Sequence, residues 1–500
     1  MNLDTRRLVL VAALVAASAL VRAPLAAAPP VSDEAAHLLG SWTLLDGGRL
    51  YVDFVDNKPP LLYAAYASAQ ALLGRGLGSV RLAAVLLVVP LTAFAASAFF
   101  GHDRRGLLAA LLYVLLSAAS LPEDALPVHA ELLMLLPAAW AVVRLRGRDP
   151  TGQNPWPDVI AGGLLGLAGL VKPTAALWLA AAPLALLLRD RSARGLRAAA
   201  RAGLAAAAGF LVPVTAIALV FAQAGTLGDL VERTLLANVR YLAAPLAPLE
   251  GAARAARGVV PWLAATGAAW WAYARGKSLE GHSFPSTLVD ALVLCSLPAV
   301  LVGGRFYGHY FLQVLFPLCL GAAPALARLD RVARVALAVV AATALGFATA
   351  NAWLVLARDD VVEDTFPLHR DVAAFLREDA CYPGASVFVW GLAPRLYVET
   401  GLRPASRFVL PQESVSGHQS GRRAPASSID QADRRLLLDD LERSAATYIL
   451  DLAPSGFHRW DRFPLTTFPA LLELVQRQYE IAGVVDGVVI HRRRGCVPRH

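Results

Sequence analysis

The stretch Ser32-Asp33-Glu34-Ala35-Ala36-His37, with Asp56-Asn57-Lys58-Pro59-Pro60-Leu61 closing it, follows directly on the first apolar run of the chain, about residues 8–28. It is the first place where acids, a histidine and a lysine gather in an otherwise apolar N-terminal region. Ser32 is the expected N-cap of a helix over residues 33–46. Ala35, Leu38, Leu39, Trp42 and Leu45 form its apolar stripe, and Glu34, His37 and Ser41 fall on the other face. Such a helix suits a membrane interface. Lys58-Pro59-Pro60-Leu61 opens a second short apolar helix to Leu73, with the prolines at its start.

Composition outside this stretch sets the class. The 500 residues are 57% hydrophobic and 17% charged, against ~25% charged in soluble domains. Continuous apolar runs recur through the first 357 residues, which reads as a polytopic α-helical membrane protein. Continuity rather than alternation argues against a β-barrel. Net charge is +8, but the arginines sit in short loops between apolar runs, so they read as topology signals and not as a nucleic-acid surface.

About eleven spans are expected between residues 8 and 356. The loops after alternate spans carry Arg104 and Arg105, then Arg144, Arg146 and Arg148, then Arg189, Arg191, Arg194 and Arg197, then Arg275 and Lys277, then Arg328, Arg331 and Arg334. The positive-inside rule places these and the N-terminus in the cytoplasm. Arg6-Arg7 and the following apolar run read as a retained signal anchor. The long first loop, about residues 29–79, then shares the outer face with Glu131, Lys172 and Arg305. An odd span count also puts the C-terminus outside. The expected location is the cell (inner or plasma) membrane.

From about Arg358 charges, prolines and short alternating runs appear. Residues 385–390, 447–450 and 487–491 read as strands. Residues 371–378, 433–443 and 469–477 read as amphipathic helices. Residues 414–428 read as a polar loop. The expected division is therefore a membrane region, 1–357, and a soluble extracytoplasmic α/β domain, 358–500. Cys295 and Cys319 lie in apolar runs and suit packing. Cys381 and Cys496 form a disulfide candidate if their region is extracytoplasmic, and are two free thiols otherwise.

Local pattern leaves the candidate site residues with two readings each. Asp33 and Glu34 suit a helix N-terminus as well as chemistry. Lys58 could reach lipid headgroups. Yet the lysines are only Lys58, Lys172 and Lys277, and the first two directly precede prolines on the expected outer face.

Asp33-Glu34, Tyr51-Val52-Asp53 and Asp56-Asn57-Lys58-Pro59-Pro60-Leu61 together resemble the first outer loop of GT-C glycosyltransferases. The similarity is to the branch of protein O-mannosyltransferases and lipid A aminoarabinose transferases. Val128-His129-Ala130-Glu131, Gly169-Leu170-Val171-Lys172-Pro173 and Gly304-Arg305-Phe306-Tyr307-Gly308-His309-Tyr310 resemble further segments of that branch. Val389-Trp390-Gly391 and Pro394-Arg395-Leu396-Tyr397 extend the likeness, more weakly, into the C-terminal region.

The resemblance implies a GT-C-like fold and an inverting hexosyl- or pentosyltransferase. Its donor would be a sugar on a polyprenyl phosphate in the bilayer, and its acceptor a hydroxyl of a protein, lipid or glycan. By the match, Asp33 is the catalytic base with Glu34 in support. Lys58, Lys172 and Arg305 are the cations facing the departing phosphate. His37, Asp56, Glu131, His309 and Tyr310 support the site or face the acceptor. A divalent cation is left open. The aminoarabinose transferases usually carry aspartate where Glu131 aligns, which leaves the acceptor open too. A lipid or solute transporter is the rival class. It would scatter polar groups along both halves of an inverted repeat.

Overall fold

A computed structural model describes residues 3–26, 28–148, 154–243, 248–281, 283–357, 368–411, 413–419 and 422–496. The onset of the C-terminal region expected near Arg358 lies outside them. The chain compacts into two units, each built from stretches far apart in sequence.

The first unit comprises Met1–Ala28, Lys58–Leu227 and Pro245–Ala357 and is helical. Among the described residues, five of its helical stretches are long and apolar enough to cross a membrane: Leu77–Phe99, Ala193–Gln223, Phe284–Leu301, Gly308–Leu326 and Arg331–Leu356. The expected figure of about eleven spans goes beyond these five. Small residues set its closest helix crossing. A Cβ on Gly162 would lie 2.0 Å from the Ala206 carbonyl oxygen, and one on Gly209 would lie 1.9 Å from that of Val159. The helices Trp156–Gly169 and Ala193–Gln223 therefore pack backbone to backbone, as membrane helices do where no side chain intervenes.

Polar groups inside this unit staple its turns. Buried Arg22 donates to the carbonyls of Ala125 at 2.8 Å and Ser117 at 3.0 Å, tying the first helix to the polar turn before Glu131. Tyr66 Oη donates to the Val128 carbonyl at 2.5 Å. The Leu61 backbone N–H donates to the Leu170 carbonyl at 3.0 Å, drawing the start of the helix Pro60–Leu73 to the turn that carries Lys172. That turn continues as the 3-10 segment Pro173–Ala180. Trp178 Nε1 donates to Ser296 Oγ at 2.8 Å, and Gln313 Nε2 donates to the Thr174 carbonyl at 3.1 Å. Each of these bonds satisfies a polar group that burial would otherwise penalise.

The second unit gathers Pro29–Asn57, Gly228–Ala244 and Arg358–His500. Its five-stranded sheet has the order Arg403–Pro404, Ser386–Trp390, Tyr448–Asp451, Val488–Arg493, Tyr479–Val485. The first three strands run parallel, Val488–Arg493 runs antiparallel to them, and the edge strand Tyr479–Val485 is antiparallel to Val488–Arg493, with Val387 opposite Tyr448 and Tyr448 opposite Arg492. Tyr448–Asp451 is buried along its whole length, and Val387–Trp390 of its neighbour likewise, as befits central parallel strands covered on both faces. Helices Leu368–Glu378, Gln431–Ser444 and Pro469–Gln478 follow the expected positions. Cys381 and Cys496 are joined as a disulfide spanning 115 residues, while Cys295 and Cys319 are buried and free.

Three local expectations are corrected. Ser32 is the first residue of the helix Ser32–Leu45 and Val31 occupies the cap position, without a side-chain cap bond. Residues 34–41 of that helix are buried on both faces, Glu34, His37 and Ser41 included, so its middle lacks the solvent-facing polar side of an interface helix. Residues 414–428 are not a plain loop: His418–Gln419 pairs with Arg422–Arg423, and His418 is buried against Trp460 and Phe463.

Candidate functional site

In the first unit the chemistry gathers at the mouths of three helical segments. Glu131 sits in the first turn of Ala130–Arg146, with His129 at the cap position. Lys172 occupies the cap position of Pro173–Ala180 and holds an extended backbone, as a residue before proline must. His309 and Tyr310 lie in the 3-10 turn Gly308–Phe311 that opens Leu312–Leu326.

The side chains converge. Lys172 Nζ donates to Glu131 Oε1, and the Glu131 side chain is 3% exposed. Lys172 Nζ also stands 4.2 Å from the centroid of the Tyr310 ring, a cation–π contact. His309 Nε2 lies 3.9 Å from Glu131 Oε1. On its other side His309 Nδ1 donates to Asp124 Oδ1 at 2.8 Å, and the His309 backbone N–H reaches the same oxygen at 3.1 Å. The His129 ring stacks on His309 at 3.9 Å, and its Nε2 donates to the Glu123 carbonyl at 2.9 Å.

Gly308 allows this approach. A Cβ there would stand 2.4 Å from Asp124 Oδ2, so no other residue admits the carboxylate. Burial pushes the Asp124 carboxyl up, but the hydrogen bond and charge of His309 prevail and hold it below the usual carboxylate range. The result is an alternating row of acid, imidazole, acid and ammonium: Asp124, His309, Glu131, Lys172. Arg305 is also buried in this unit, next to Phe306, whose φ of 52° is a left-handed conformation that few non-glycine residues adopt. Lys58 is half-buried at the start of the unit's second stretch.

The second unit carries the acids of the first loop. Asp33 is half-buried and Glu34 and His37 are 1% exposed, on a helix that packs against Arg395–Thr400. Asp56 accepts from the Asn57 backbone N–H at 2.6 Å, which shapes the turn before Lys58. The loop is further pinned where Val55 N–H donates to the Arg407 carbonyl at 3.0 Å.

Of the residues singled out in the sequence, Glu131, Lys172, His309 and Tyr310 thus meet in one cluster. Lys58 and Arg305 belong to the same unit, and Asp33, Glu34, His37 and Asp56 to the other. Asp124, which the sequence did not single out, and His129, quoted there within a motif but given no role, are further members of the cluster. The signal for Asp124 was the polar turn Pro122-Glu123-Asp124 between apolar runs, but nothing local points it at a histidine 185 positions away.

No family model and no curated protein matches this sequence. Solved structures do. ArnT from Cupriavidus metallidurans bound to undecaprenyl phosphate, a lipid A aminoarabinose transferase, superposes with a TM-score of 0.62 at 13% identity, covering 100% of both chains. Its apo state gives 0.60 at 14% identity over 98% of each chain. The oligosaccharyltransferase AglB from Archaeoglobus fulgidus, in complex with an inhibitory peptide and a dolichol-phosphate, gives 0.52 at 13% identity, covering 98% of this chain and 74% of that one.

The chain has the GT-C glycosyltransferase fold. The GT-C fold thus embraces the whole chain, the C-terminal sheet included, where the sequence motifs had extended only weakly.

Proposed function

We propose that this protein is a multi-pass membrane glycosyltransferase that moves a sugar from a polyprenyl-phosphate donor to an acceptor hydroxyl on the extracytoplasmic face, with inversion. The observation that carries the reading is the full-length structural likeness to a transferase solved with undecaprenyl phosphate bound. The acceptor oxygen attacks the anomeric carbon as the carbon–oxygen bond to phosphate breaks, and the bonding pair leaves on the phosphate. Asp33 takes the acceptor proton, with Glu34 in support. Lys58, Lys172 and Arg305 stabilise the charge that develops on the phosphate.

The row Asp124–His309–Glu131 supports this role for Lys172. A lysine held by a buried carboxylate and an aromatic ring keeps one position, so little reorganisation is left for the moment of transfer. His37, Asp56, Tyr310 and the Glu131 row are assigned to support of the site or the acceptor side. The Cys381–Cys496 disulfide supports an extracytoplasmic C-terminal domain, since such bonds persist in oxidising compartments. The arginine-rich loops support a cytoplasmic N-terminus. No specific observation favours the transporter reading.

The deciding experiment compares envelope glycans, glycolipids and glycoproteins of wild-type and deletion cells by mass spectrometry. Loss of one sugar from one acceptor class is expected, and its mass assigns hexose or pentose. An unchanged envelope, together with no transfer by the purified protein from any polyprenyl-phosphate sugar, overturns the reading.

A further inference from the structure

The stretch 228–244 leaves the membrane spans and joins the second unit, and its hydrogen bonds are unlike those of a passive connection. Arg233 pairs with Asp433 through two bonds of 2.6 Å, Nη1 to Oδ2 and Nη2 to Oδ1. The Asp433 side chain is 2% exposed and that of Arg233 16%. Five residues on, Asn238 Nδ2 donates to the Asn57 carbonyl at 2.8 Å, and Asn57 Nδ2 returns a bond to Asn238 Oδ1 at 3.4 Å.

The backbone between the two contacts explains how one short segment makes both. Residues Glu232–Leu236 form a π turn. Five residues of α-helix sweep about 500°, leaving i and i+5 on different faces. A π turn closes its bonds from i to i+5 and brings those positions toward one side. Arg233 and Asn238 can then hold two partners at once: Asp433, on the helix Gln431–Ser444 of the C-terminal region, and Asn57, the residue directly before Lys58-Pro59-Pro60.

We propose that Arg233 and Asn238 are positioning residues of a clasp that ties the C-terminal helix Gln431–Ser444 to the loop delivering Lys58. This rests on the assignment of Lys58 to the donor phosphate. The bonds named here join members of the clasp to one another. It acts by restricting the turn 54–57 and hence the place where the Lys58 backbone begins. The bidentate geometry suits this task, since guanidinium and carboxylate fix direction as well as distance. Burial pushes the Asp433 carboxyl up, and the Arg233 bonds more than offset it, so the pair stays ionised at neutral pH.

The test uses the full-length protein in detergent or nanodiscs and reads two quantities. The first is hydrogen exchange over residues 51–58 in wild type, Asp433→Ala, and the charge swap Arg233→Asp with Asp433→Arg. Protection of that turn is expected to fall about tenfold in Asp433→Ala and to recover in the swap. The second is transfer kinetics with the lipid-linked sugar identified from the deletion strain. The donor KM is expected to rise about tenfold in Asp433→Ala with kcat within about threefold of wild type. Asn238→Ala is expected to behave like Asp433→Ala without touching the ion pair. Exchange at 51–58 that ignores both Asp433→Ala and Asn238→Ala overturns the clasp. Absence of transfer by wild type overturns the enzyme reading instead, and the exchange measurement still decides the clasp.

Discussion

Lys172 donates to Glu131 across 41 positions of sequence, and the carboxylate it meets is almost wholly buried. A buried charge of this kind is tolerated only while its partner is present. Lys172→Met is therefore expected to destabilise the membrane unit by about 3–5 kcal/mol, the cost of stranding one member of a buried pair. Thermal unfolding in detergent reads this. The double variant Lys172→Met with Glu131→Gln is expected to recover much of the loss, because no bare charge remains. Equal stability of the single variant and wild type would remove the pair from the account of this cluster.

Asp33→Asn is expected to abolish sugar transfer while leaving membrane insertion and donor-lipid binding intact. An amide keeps the shape of the carboxylate and loses its ability to take a proton. A donor-lipid transfer assay checks it, and a wild-type rate from the variant removes Asp33 as the base.

For Arg305→Ala the expected effect is on binding. Loss of one charge-assisted contact to phosphate corresponds to about tenfold weaker affinity for the lipid phosphate. Titration with undecaprenyl phosphate measures it. Unchanged affinity would exclude a phosphate contact.

The C-terminal region should lose stability in mild acid. Burial, helped by the charges of Arg395 and His458, lowers His369 to about 3, and burial lowers His418 to about 4. In the unfolded chain both imidazoles titrate near ~6.5. Between these values the unfolded state binds protons that the folded state refuses, so stability rises with pH there. It is fully present above about pH 6.5 and falls by up to about 1.4 kcal/mol per pH unit for each histidine on the way down to pH 4. Unfolding of this region at pH 7, 6, 5 and 4 measures the slope, and His369→Gln is expected to flatten it.

At the crossing of Trp156–Gly169 with Ala193–Gln223, neighbouring glycines differ sharply. An added methyl at Gly162 meets a carbonyl oxygen at 2.0 Å, whereas at Gly163 the nearest atom is at 3.6 Å. Gly162→Ala is expected to lower folded yield and thermal stability by about 1–3 kcal/mol, the usual cost of overpacking. Gly163→Ala should change little.

Much of this molecule was legible in its sequence for a simple reason: hydropathy and charge act over one helix length, and a linear reading samples that length. The helices Pro60–Leu73 and Gln431–Ser444 and the strands Ser386–Trp390 and Tyr448–Asp451 fall where periodicity put them. The sheet's edge strand Tyr479–Val485 was not foreseen. It alternates poorly because it is largely exposed and carries a register shift between Ile481 and Gly483. Arg403–Pro404 is too short to show any period. In the cluster, Glu131 and Lys172 stood out by their place on the expected outer face, and His309 and Tyr310 through the motif resemblance alone. Asp124 was not, because its role is made by His309 and by the missing side chain of Gly308, both far along the chain. The Asn57–Asn238 contact is equally non-local, and asparagine pairs leave no mark on hydropathy.

The makeup of the second unit sets an order of biogenesis. Residues 29–57 are the first of its three stretches to leave the ribosome, yet Val55 bonds to Arg407 and Asn57 to Asn238. The first loop must therefore wait, unfinished, while the later spans are inserted, and it matures only once the chain around Arg407 has been synthesised. A nascent chain cut short near residue 357 would strand it for quality control to find.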